Sequence, residues 1–141
     1  AWLIGRYLRP KARIEFAPVV QRFATAALDV SDGFLKDLRR LSGSHGLDIA
    51  FNDLPLSSPA RQIIGADSEL RTCVLTGGDD YEILFAVSPA DKAAMIAEAE
   101  KSGVSANEVG VLRNHSDILV RDEGGLIIEG AQSGYDHVKS L

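Results

Sequence analysis

The sequence predicts an α+β fold, a mixed sheet with helices layered against it, and three observations carry that prediction. Segments with helical spacing alternate with apolar runs too short for buried helices. Two of the last runs, 118–120 and 126–128, flank Asp122-Glu123-Gly124-Gly125, whose turn chemistry makes a hairpin. No Gly-x-Gly-x-x-Gly follows a strand and no Walker lysine motif is present, which leaves a doubly wound nucleotide fold and a P-loop unsupported.

In chain order, 2–8 reads as a short helix stopped at Arg9-Pro10, because the residue before proline is disfavoured in helical conformation. A second helix spans 18–24, with Pro18 in its first turn. A strand over 25–30 opens into a helix over 32–43. There Phe34, Leu35, Leu38 and Leu41 share one face, and Lys36, Asp37, Arg39 and Arg40 lie largely off it, the basic residues as a solvated face. Ser42-Gly43-Ser44-His45-Gly46 breaks that helix. Alternation over 47–51 gives a strand, and Ser57 or Ser58 caps a helix over 58–65. Cys73, within 70–75, reads as a small buried apolar residue. The apolar run 81–87 is expected to be a central strand. Ser88 caps an alanine-rich helix over 89–101, and 109–112 and 118–120 read as further strands.

At 141 residues and 45% hydrophobic, the chain has material for one core, so a single domain over 1–141 is expected. The net charge of -5 gives no basic stripe for nucleic acid. No long uncharged apolar run suggests a membrane helix, and no signal-peptide pattern opens the chain. Cys73 is the only cysteine, which fits a reducing cytoplasm. Met95 is the only methionine, so the sequence is expected to be a piece of a longer protein.

Two acidic turns carry the chemistry. In Thr76-Gly77-Gly78-Asp79-Asp80-Tyr81-Glu82, three carboxylates fall within four residues beside apolar β structure, although like charges at close quarters repel. The stretch suits a polar β-turn, or a site where something cationic or protic binds. In Leu28-Asp29-Val30-Ser31-Asp32-Gly33, a strand ends in Asp-x-Ser-Asp-Gly before a helix. Ser31 or Asp32 can be the N-cap, which leaves Asp29 without a role. Alternatively, the carboxylates hold a hard cation while a hydroxyl and free amides contact phosphate.

With Tyr7-Leu8-Arg9-Pro10, Leu54-Pro55-Leu56 and the ending Gly134-Tyr135-Asp136-His137, these turns make the chain resemble the C-terminal half of the thiamine-monophosphate kinases. That family is grouped with aminoimidazole ribonucleotide synthetase, whose C-terminal domain the fold is expected to resemble, and with selenophosphate synthetase. The resemblance implies a two-domain, homodimeric kinase whose N-terminal half is absent here. The activity implied is transfer of the γ-phosphoryl of ATP to thiamine monophosphate, with Mg2+. Asp29 and Asp32 would ligate magnesium, Ser31 would contact ATP phosphate, and Asp79 and Tyr135 would contact the thiamine substrate. Asp79 stands where the family pattern has glutamate, one methylene longer. No general base is expected, since the acceptor phosphate is already ionised. His137 and Asp136 read as an acid–base pair or, since this transfer needs no proton shuttle, better as a hydrogen-bonded pair closing the C-terminal loop. By the resemblance, the chain alone supplies one wall of a site, without turnover. The alternatives are a superfamily relative acting on a ribotide, selenide or carbamoyl group, and a non-catalytic interaction domain.

Overall fold

The computed structural model describes residues 2–65 and 67–128. Tyr135 and the Gly-Tyr-Asp-His ending lie outside the described residues.

The chain starts with α1 (Trp2–Leu8), passes a 3-10 turn (Ile14–Phe16), and runs through α2 (Ala17–Phe23) directly into β1 (Ala24–Asp29). β1 pairs antiparallel with β3 (Ile83–Val87), placing Leu28 opposite Leu84 and Asp29 opposite Ile83. Side chains alternate across a strand, so β3 serves two cores. Its Leu84 enters the larger one, with Leu35 and Leu38 of α3 (Phe34–Ser42), Ile64 of α4 (Ser58–Ile64) and Leu75 of α5 (Ser68–Thr76). Ile83, Phe85 and Val87 face a smaller one, built from Phe16, Val19 and Phe23 with Met95 and Ala99 of α6 (Lys92–Lys101). The Phe16 and Phe85 rings meet there at 5.7 Å and 55°. A second pair, β2 (Leu47–Ala50) and β4 (Ile118–Arg121), is parallel, with Ile49 opposite Val120 and each 1% exposed in the larger core.

The helices and mixed strand pairing follow the expected fold class, with six differences. The described strands form two separate two-stranded sheets rather than one, and β3 has a single partner rather than a central place. Residues 109–112 form no strand, and only an isolated bridge from Gly46 to Arg113 lies nearby. α5 replaces an unassigned stretch. Its signal was Asp67, whose carboxylate accepts the Glu69 and Leu70 amides as an N-cap. Cys73 lies on the exposed side of that helix instead of being buried. α6 begins later than expected, because the Ser88 hydroxyl accepts the Ala90 amide and caps the turn before the helix. The hairpin forms as a bridge between Arg121 and Ile127, with the Asp122 carboxylate accepting the Gly124 and Leu126 amides. Among the described residues, no helix is long and apolar enough to cross a membrane.

Candidate functional site

Pairing between β1 and β3 continues past the regular strand ends, and that extension brings the acidic turns together. The Val30 amide donates to the Glu82 carbonyl at 2.9 Å, and the Tyr81 amide donates to the Val30 carbonyl at 3.0 Å. The Asp79 amide then donates to the Ser31 carbonyl at 3.0 Å. Each turn contributes a glycine to this approach. A Cβ on Gly78 would stand 2.4 Å from the Ser31 carbonyl oxygen. Gly33, at φ +116°, would place one 2.5 Å from the Thr76 carbonyl oxygen.

The first turn is set by a residue that the helical pattern placed off the buried face. Asp37, in the first turn of α3, is 1% exposed. Its Oδ2 accepts the amides of Ser31 and Asp32, both at 2.9 Å, and its Oδ1 accepts from Arg40 at 2.8 Å. The expected cap at Ser31 or Asp32 is therefore not the one used. Gly33 takes the N-cap position without a side-chain bond, and Asp37 reaches back from inside the helix to satisfy the amides before it. Asp32 is ion-paired with Arg40 at 2.6 Å and Lys36 at 3.3 Å. Hydrogen bonds from Arg40 and then Lys36 hold its carboxyl below the usual range. Arg40 and Lys36, read as a solvated face, thus belong to the site. Asp29 is exposed and takes no side-chain hydrogen bond or ion pair among the described residues, and neither does the Ser31 hydroxyl.

The second turn is conformationally tense. Asp79 and Tyr81 both adopt left-handed backbone, at φ +67° and +54°, which is costly for an aromatic residue. The Tyr81 hydroxyl donates to the Asp79 carboxylate at 3.3 Å. Neighbouring protein desolvates the Asp80 carboxyl, and repulsion from Glu82 adds to this, against attraction from Arg6. Together they push it up to about 6. The Glu82 side chain finds its partners off the sheet. It accepts two hydrogen bonds from Arg13, at 2.7 and 2.6 Å, and one from Arg6 at 2.9 Å, which fastens the N-terminal segment to the site.

The donor set suits a hard divalent cation. Asp29 and Asp32 offer carboxylate oxygens on one turn, and magnesium commonly takes one or two carboxylates with waters and substrate phosphates. Among the described residues, no three metal-ligating side chains cluster, so such a cation would need further ligands from elsewhere.

No family model matches the chain. A thiamine-monophosphate kinase of Rhodopirellula baltica is 36% identical over 115 residues, 77% of this chain and 35% of the relative. The Salmonella typhimurium thiamine-monophosphate kinase is 30% identical over 138 residues, 96% of this chain and 42% of the relative. Among solved structures, the thiamine-monophosphate kinase of Stenotrophomonas maltophilia superposes with a TM-score of 0.76 at 31% identity. That match covers 84% of this chain and 38% of the other. AaThiL, solved in complex with AMPPCP and TMP, gives 0.67 at 27% identity, covering 91% and 39%. The chain spans well under half the length of these relatives. By sequence and by fold, the chain is similar to a part of the thiamine-monophosphate kinases, over less than half of their length.

Proposed function

We propose that this chain is the C-terminal domain of a cytoplasmic, ATP-dependent thiamine-monophosphate kinase and supplies one wall of its active site. The observation that carries this reading is the backbone pairing of the two acidic turns, Asp79 amide to Ser31 carbonyl and Tyr81 amide to Val30 carbonyl. It gathers Asp29, Ser31, Asp32 and Asp79 at one end of the β1–β3 pair. The likeness to a kinase solved with AMPPCP and TMP supports a nucleotide and a thiamine phosphate as the ligands.

In this reading Asp29 and Asp32 hold magnesium, which when bound offsets the repulsion between the two polyanionic substrates. Ser31 presents its hydroxyl to a phosphate oxygen of ATP. Asp79, shorter than the family's glutamate, contacts the thiamine moiety, held toward Tyr81 by the hydroxyl bond. Tyr135 lays its ring on the cationic thiazolium, where cation–π attraction is worth about 0.5–2 kcal/mol. No side chain has to remove a proton, because the acceptor is already an anion. The remaining ligands, and the dimer contact, come from an N-terminal half that this chain does not contain. An apolar docking surface for that half is supported by Trp2, Ile4, Tyr7, Leu8 and Ile14. All five are exposed, on the segment that Glu82 ties to the site.

The test is Asp29→Asn and Asp32→Asn in the full-length protein. Both preserve size and remove charge. Turnover of thiamine monophosphate should fall by about two orders of magnitude or more while the unfolding midpoint stays near the parent value. Retained turnover in both variants would overturn the assignment.

A further inference from the structure

Asp32 is held at both ends by a linked pair of neighbours, Asp37 and Arg40. Its amide donates to the Asp37 carboxylate at 2.9 Å, and its own carboxylate meets Arg40 at 2.6 Å. Arg40 closes the circuit by donating to the other Asp37 oxygen at 2.8 Å. Asp37 is the buried member, 1% exposed, and one of its oxygens also accepts the Ser31 amide, so it cannot turn away without stranding two amides. Arg40 is suited to its part because a guanidinium can present separate nitrogens to two carboxylates, which an ammonium cannot do in a fixed plane.

We propose that Asp37 is a positioning residue for phosphoryl transfer, which through Arg40 fixes the direction of the Asp32 carboxylate. Arg40 and Lys36 both approach Oδ2 of Asp32, so Oδ1 would be the oxygen left for a divalent cation. The inference rests on the reading of Asp32 as a magnesium ligand. A plain helix cap would need only the amide bonds. The bridge to Arg40 is what a cap leaves unexplained.

Asp37→Asn separates the two roles. Its remaining carbonyl oxygen can still accept the Ser31 and Asp32 amides, while its NH2 faces Arg40 and opens the ring. The measurement is Mn2+ binding to the full-length protein by electron paramagnetic resonance, alongside the half-saturating Mg2+ concentration for turnover. Asp37→Asn and Arg40→Gln should each weaken both by about tenfold, the usual scale for a lost outer partner of a metal ligand. KM for thiamine monophosphate should not move. Arg40→Lys should restore less than half of the loss on a logarithmic scale. Arg40 is exposed at the surface, so Arg40→Gln decides the matter should Asp37→Asn fold poorly. If Asp32→Asn weakens Mn2+ binding and Arg40→Gln does not, the positioning role is wrong and the site assignment stands. If Asp32→Asn leaves Mn2+ binding unchanged, the site assignment itself falls, and the ring with it.

Discussion

Gly78→Ala tests whether the two acidic turns really lie against each other. The new methyl would stand 2.4 Å from the Ser31 carbonyl oxygen, whereas ordinary contact begins at 3.4 Å. The obstacle is backbone, which cannot swing aside as a flexible side chain would. The turns must therefore part by about 1 Å. The hydrogen bond from the Asp79 amide to Ser31, 3.0 Å at rest, does not survive that displacement, and the one from Tyr81 to Val30 is strained with it. Losing one to two such bonds costs about 1–3 kcal/mol. Urea denaturation of the chain, followed by tryptophan fluorescence and by far-UV circular dichroism, measures it. Gly5→Ala is the control, since nothing lies within 4 Å of a Cβ there and the site is in α1. That change should be neutral or gain up to about 1 kcal/mol from helix propensity. A Gly78→Ala loss within about 0.5 kcal/mol of parent would refute the apposition of the turns.

Two further outcomes follow from the second turn. Asp80 has its carboxyl pushed up from 3.8 to about 6, so the folded state favours the neutral form. Its stabilising contribution is complete below about pH 4 and is lost as pH rises through about 6. Asp80→Asn should therefore match parent in thermal midpoint at pH 4 and exceed it at pH 7, and equal midpoints at both would count against the crowding of that carboxyl. Glu82→Gln removes the anchor of Arg6 and Arg13, whose pairs are partly solvent-exposed. The loss should be about 1 kcal/mol, smaller at high salt, with faster tryptic cleavage around Arg9 and Lys11. Unchanged cleavage would show that the N-terminal segment is held by other contacts.

How much of this was legible in the sequence depended on whether the signal was local. The β1–turn–α3 unit was readable because strand, acidic turn and apolar helical face follow one another within 25–43. The helix over 58–64 was readable from its Ser57 cap and Pro59. α5 is weakly signalled because Thr72, Cys73 and Val74 are indifferent helix formers, and the Asp67 cap is its one strong local mark. The 109–112 run is not a strand because an apolar stretch needs a neighbouring strand before it becomes one, and among the described residues it has nearby only the bridge at Arg113.

The site divided along the same line. Asp29 stood out as a charge that a cap at Ser31 or Asp32 leaves without a role, whereas the expected roles of Ser31, Asp32 and Asp79 came from the family resemblance. That they share one place follows from register, Asp29 opposite Ile83, which no spacing within either motif encodes. Asp37 was misread for a sharper reason. A helical wheel assigns a charged residue to solvent, yet the side of the first turn that faces back along the chain is lined by unsatisfied amides, and a carboxylate belongs there. Its burial is compensated three times over, by Ser31, Asp32 and Arg40, and among the described residues no buried side-chain polar atom lacks a partner. Asp29 stands in contrast, exposed and without a side-chain partner among those residues. Asp37 is tied into the fold through three partners and Asp29 through none among the described residues, which agrees with the ligand-facing role proposed for Asp29.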